Sequence, residues 1–153
     1  MANLKQKKVN NIFVYCEIEE GHIADVSLEL LSKGKNLATE LKCKLEAVVI
    51  GHELKDIPED IAPHGVDVIH LFDDERLYPY LTLPHASIVT KLFETENPEI
   101  VLFGASSNGR DLAPRVASAL KCGLTADCTS LEIGEHTDKK TKKTYENLLF
   151  QIR

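Results

Sequence analysis

Short apolar runs alternate along this chain with longer segments whose apolar residues recur three and four positions apart, and this alternation limits its possible folds more than any other feature. Asn11 to Cys16, Leu45 to Gly51, Val66 to Leu71 and Glu99 to Phe103 are rich in strand-forming residues and read as buried strands. After the first of them, Leu30, Leu31, Gly34, Leu37, Ala38 and Leu41 repeat with helical spacing, with Asp25 or Ser27 placed to cap the start. Gly34 falls on the apolar face, where a missing side chain lets a helix lie close to a sheet. Leu54 to Ala62 reads as a short helical piece interrupted by Pro58, and Pro63-His64-Gly65 as a turn. Asp73 to Leu83 has no regular pattern; beyond it Ile88, Val89, Leu92 and Phe93 form one face of a helix that ends at Asn97-Pro98. Leu112 or Ala113, Val116, Ala117 and Leu120 make another helical face, stopped by Gly123. Two strand-like stretches close the chain, Leu124 to Ile133 and Tyr145 to Ile152, around the polar, Lys-rich loop Gly134 to Lys143. This order predicts an α/β fold of three layers, a Rossmann-like parallel sheet flanked by helices, with a terminal β-hairpin.

At 153 residues and 43% apolar composition, the chain suits one domain around one core. We expect a disordered or extended tail over residues 1–10 and one domain over 11–153. The formal charge of −6 argues against a nucleic acid partner, because an acidic chain does not gather phosphate backbones. The basic start, Met1 to Lys8, is not followed by an apolar core of signal-peptide length, and no apolar run is long enough to cross a bilayer. The expectation is a cytoplasmic protein without membrane insertion. Cys16, Cys43, Cys122 and Cys128 lack the tight pair spacing of a zinc or redox motif. Three read as small hydrophobes in apolar surroundings; Cys43, between Lys42 and Lys44, has neighbours that lower a thiol pKa. The six histidines are scattered without ligand spacing and read as loop or surface residues.

The segment with most scope for chemistry is the junction after the Glu99–Phe103 strand. Ligands of open parallel sheets bind beyond the carboxyl ends of the strands. Pro114 lacks an N–H and is comfortable in a helix's first turn, so the following helix is expected to begin near Arg110 or Asp111. Gly104, Ser106, Ser107, Asn108 and Gly109 would then form a small-residue loop whose backbone approaches a ligand closely, with Arg110 able to fork onto a phosphate or carboxylate. Asp111 would cap the helix or anchor Arg110. The same residues also make an ordinary capped turn. The Gly-Lys-Ser/Thr ending of a P-loop is missing, and the first strand lacks the dinucleotide fingerprint. No nucleophile elbow and no convergent acid–base pair is present, so catalysis by this chain alone is not expected.

The run from Glu99 to Ala105 followed by Asn108-Gly109-Arg110-Asp111-Leu112-Ala113-Pro114-Arg115-Val116-Ala117 closely resembles the α subunit of electron transfer flavoproteins. Gly123-Leu124-Thr125-Ala126-Asp127-Cys128-Thr129 resembles it too, as does the opening Tyr15-Cys16-Glu17, Gly21-His22-Ile23 and Val26 to Leu31. Phe13 stands where that family often has Trp, and Cys16 where it often has Ala. The resemblance implies an adenine-nucleotide α-hydrolase-like arrangement and the N-terminal domain of a longer subunit whose FAD sits in a second half. It further implies a β subunit as partner, carrying AMP or a second FAD, and dehydrogenases as electron donors. On that basis no catalytic, cofactor or metal ligand is expected here. Gly104, Ser106, Ser107, Asn108, Gly109, Arg110, Asp111, Thr125 and Asp127 are candidates for facing a ligand or a neighbouring domain. The alternative is a free-standing adenine-nucleotide-binding module of similar fold; a small hydrolase or transferase ranks below both.

Overall fold

The computed structural model describes residues 9–153. Of the tail expected over residues 1–10, most lies outside the described residues; Asn10 donates from its side-chain amide to the Asn97 carbonyl at 2.8 Å. Four strands form the central sheet: β1 (Ile12–Cys16), β4 (Leu45–Gly51), β5 (Val68–Asp73) and β6 (Ile100–Leu102), all parallel, in the order β5-β4-β1-β6. Parallel strands covered on both faces need continuous apolar runs, and all five residues of β1 and all seven of β4 are buried.

Alternate side chains of these strands build two cores. Ile12, Val14, Cys16, Leu45, Ala47 and Val49 point to the face covered by α1 (Asp25–Leu41) and α2 (Ile57–Ile61), where Leu31, Leu37, Ala38, Ile57 and Ile61 meet them. Phe13, Tyr15, Val48 and Ile50 point to the face of α3 (Thr82–Glu96) and α4 (Ser107–Leu120), against Val89, Phe93, Leu112 and Val116. Each fully buried Leu or Ile contributes roughly 1.5–3 kcal/mol. Gly34 performs the close packing expected of it: a Cβ there would lie 2.9 Å from Leu45 Cδ1 and 3.2 Å from Val14 Cγ2.

β1 and α1 are joined by a miniature hairpin of β2 (Ile18–Glu19) and β3 (His22–Ile23). Its two-residue turn places Glu20 at φ 51° and Gly21 at φ 83°, the left-handed pair that matches strand twist. Neither Asp25 nor Ser27 caps α1; the N-cap is Ala24, and the Ser27 hydroxyl accepts from the Glu17 N–H at 2.8 Å. Pro58 does not interrupt α2 but opens it, within the first turn where no N–H is needed. β5 lies two residues later than expected, ending on Asp73, whose carboxylate accepts from the backbone N–H groups of Glu53 and Leu54.

α4 departs most from expectation. It starts at Ser107, not near Arg110, because the Ser106 hydroxyl accepts from the Gly109 N–H at 3.0 Å and caps it there. Pro114 therefore lies inside the helix. The helix ends on Lys121 in a left-handed conformation, φ 54°, so Gly123 stands beyond its C-cap. The terminal hairpin pairs β7 (Ser130–Thr137) with β8 (Thr144–Ile152) in antiparallel register. Leu124 to Thr129 stays outside it, and the turn is confined to 138–143. Leu131, Ile133 and Leu149 pack the hairpin onto the α1 side of the core.

Candidate functional site

β1 and β6 are neighbours in the sheet, yet the chain leaves them toward opposite faces, into α1 and into α4. This is the switch point at which open α/β sheets bind ligands. Here the crevice contains Glu17, the residue after β1, which is 8% exposed. Ser106 Oγ donates to its carboxylate, 2.6 Å from Oε1 and 2.8 Å from Oε2. The same hydroxyl accepts the Gly109 N–H, so it relays the positive end of α4 to the carboxylate. Gly104 and Gly109 permit this approach: a Cβ on Gly104 would lie 3.0 Å from Glu17 Oε1, and one on Gly109 would lie 1.9 Å from the Gly104 carbonyl oxygen.

The crevice is narrowed further by aromatic and polar side chains from the irregular stretch before α3. Tyr15 and His85 lie 2.8 Å apart, hydroxyl to Nδ1. His85 Nε2 lies 3.1 Å from the Leu77 carbonyl, which only accepts, so Nε2 carries the proton and Nδ1 accepts from Tyr15. Burial pushes the Tyr15 phenol well above its ordinary range and the His85 imidazole below its own. Tyr80 packs edge-on to His85 and donates to Asp111 at 3.0 Å; Thr82 also donates to Asp111. Hydrogen bonds from Thr82 and then Tyr80 hold the Asp111 carboxyl below its usual range. What remains between Tyr15, Glu17, Tyr80, His85 and Asn108 is a cavity of about 40 Å³, the scale of a water molecule or two.

Most of the sequence candidates do meet at this junction. Gly104, Ser106, Gly109 and Asn108 surround Glu17 or the cavity beside it, and Ser107 opens α4. Arg110 is turned outward: it donates to the Ala105 carbonyl at 3.0 Å and to Asp127 at 2.8 Å. Asp111 neither caps α4 nor anchors Arg110; it ties α4 to the approach to α3 and lies 3.6 Å from Arg115. Thr125 lies in the irregular segment between α4 and β7. Glu17, Tyr15, Tyr80 and His85 were not singled out from sequence. Glu17 was recoverable, since the rule that marked the end of the fourth main strand applies equally to the end of the first. Tyr80 and His85 belong to a stretch without periodicity, and nothing local signals their approach to Tyr15.

His70 also leaves the surface role expected of it. His70 Nε2 lies 2.6 Å from Glu46, which is 4% exposed, and its ring stacks on Phe13. This pair sits toward the amino end of the sheet, where Glu46 aligns with Phe13, away from the crevice. Among the described residues, no group of three or more His, Cys, Asp or Glu is placed to hold a metal ion. The larger open groove, about 570 Å³, lies over the end of β5 between Phe72, Leu77, Pro84 and Ile88; its one cation, Arg76, is clamped on Asp74.

Fold and site together define a doubly wound, three-layer α/β domain whose switch-point crevice is filled by its own side chains. A family model of the electron transfer flavoprotein domain matches residues 12–151, and the chain belongs to that family. It is 41% identical over 130 residues to the electron transfer flavoprotein subunit alpha of Megasphaera elsdenii, covering 85% of this chain and 38% of that protein. It is 43% identical over 122 residues to the subunit of the same name from Clostridium acetobutylicum, covering 80% of this chain and 36% of that protein. The acryloyl-CoA reductase electron transfer subunit beta of Anaerotignum propionicum is 40% identical over 123 residues, 80% of this chain and 34% of that protein. The chain thus spans little more than a third of the relatives it matches. These relatives are electron transfer subunits, and none of the helices described here is long and apolar enough to cross a membrane.

Proposed function

We propose that this chain is the structural N-terminal domain of an α-type electron transfer flavoprotein subunit working in the cytoplasm. In this reading FAD is held by a further domain, a β subunit carrying AMP or a second FAD binds alongside, and dehydrogenases supply the electrons. The flavin performs the redox chemistry; this domain supplies a rigid frame and no catalytic group of its own. The observation that carries the reading is the closed crevice. A site for a cofactor of FAD's size needs a few hundred Å³ at least, against about 40 Å³ here. The open groove over β5 does not fit FAD either, since Asp73 and Asp74 line it and Arg76 is already committed to Asp74. The residues present therefore do not suit a flavin, which agrees with placing it elsewhere.

Co-expression with the cognate β subunit and measurement of flavin content test this. The expected outcome is co-purification of the two chains, with no stoichiometric FAD on this chain when it is purified by itself. Stoichiometric FAD on this chain alone, or calorimetric heat with AMP or ATP at millimolar concentration, would favour the free-standing nucleotide module instead.

A further inference from the structure

We infer that Glu17 is a built-in ligand: its carboxylate occupies the anion position of the switch-point crevice and bars free phosphates and nucleotides from this domain. The inference concerns the crevice alone, and its test requires neither flavin nor a partner subunit.

The parts of an anion site are present, and the Ser106 hydroxyl, the Gly109 N–H and the Arg110 guanidinium are taken up from within the chain. The end of β6 delivers Gly104, and the first turn of α4 offers N–H groups that lack intrahelical acceptors. Where a phosphate oxygen would sit, Glu17 takes the Ser106 hydroxyl, which itself takes the Gly109 N–H. The space for this carboxylate is made by absent side chains, since a Cβ on Gly104 or Gly109 would come within 3.0 or 3.4 Å of Oε1. The loop's cation is equally committed, with Arg110 on Asp127 and on the Ala105 carbonyl.

Glu17 is anchored at both ends, by its backbone and by Ser106 on its carboxylate. Its N–H donates to Ser27 Oγ at 2.8 Å and its carbonyl accepts from the Ala24 N–H at 2.9 Å, fixing the backbone on both sides of the side chain. An external anion would have to displace a carboxylate that the chain itself tethers at the position.

The test reads melting temperatures of the purified chain in sodium acetate and sodium phosphate, against sodium chloride of the same ionic strength. Glu17→Gly is expected to melt lower by several degrees and to recover saturably with acetate or phosphate. The wild type and Glu17→Gln, whose side chains fill the position, are expected to gain nothing beyond chloride. Should Glu17→Gly not fold in chloride, refolding in acetate becomes the readout; recovery supports the inference, and failure in both acetate and phosphate overturns it. A folded Glu17→Gly that does not respond to either anion also overturns it. In the wild type, the backbone amide NMR signals of Ser107 to Arg110 are expected to stay in place as phosphate or AMP is added; saturable movement would show an open site and end the proposal.

Discussion

Tyr15 and His85 show how strongly a residue's neighbours set its chemistry. His85 is neutral because its two nitrogens are matched to a donor and an acceptor, the Tyr15 hydroxyl and the Leu77 carbonyl, and because it is 3% exposed. Burial lowers its pKa in the folded chain. The unfolded chain binds the proton as pH falls through about 6.5 while the folded chain resists it, so unfolding becomes easier toward acid. Stability should rise as pH passes up through about 6.5, and His85→Gln, which keeps an acceptor for Tyr15, should flatten part of that slope in urea midpoints. The cysteines make the same point. Lys42 and Lys44 are exposed, so they do not activate Cys43; partial burial raises its thiol pKa instead. Cys16 is pushed up to about 12 by burial and behaves as a small hydrophobe, whereas Cys122 is exposed, contrary to its expected apolar setting.

At the scale of elements, the decisive contact is between the end of β6 and the first turn of α4. Pro114 pointed to a later helix start, but the Ser106 cap and the close seat of Gly109 on Gly104 bring the start forward. The helix accepts Pro114 in its interior and forgoes one backbone hydrogen bond there. Gly109→Ala would drive a Cβ to 1.9 Å from a backbone oxygen, which no side-chain rotation relieves. We expect it to cost roughly 3 kcal/mol, at the upper end for overpacking. Gly123→Ala, with nothing within 4 Å of its added Cβ, serves as the control and should change stability by less than about 0.5 kcal/mol. Chemical denaturation of the two variants checks both values.

At the scale of the molecule, stability is distributed unevenly. β1 and β4 lie inside the two cores with every residue buried, while β8 exposes Tyr145, Leu148, Phe150 and Ile152 and reaches the core mainly through Leu149. A two-stranded hairpin has little stability of its own. Amides of β1 and β4 should therefore exchange with solvent only on global unfolding, and those of β7 and β8 through local opening at much lower free energy. Native-state hydrogen exchange separates the two classes; equal protection throughout would show one cooperative unit.

The sequence by itself determined the four main strands, the helices that alternate with them and the three-layer architecture, because apolar runs and helical repeats are local patterns with local causes; the small β2–β3 hairpin carried no such pattern. Leu45 to Gly51 was legible to the residue, and Gly34's close packing followed from its place on an apolar helix face. The junction around Gly104 was legible as a place. Its occupant was not, because Glu17 and Ser106 lie far apart along the chain and meet only when β1 and β6 become neighbours in the sheet. The start of α4, the committed roles of Arg110 and Asp111, and the Tyr15–His85 pair likewise depend on contacts between elements. Tertiary structure alone decided that the crevice predicted at the sheet's edge is filled from within, since only packing brings a buried carboxylate to the end of a helix.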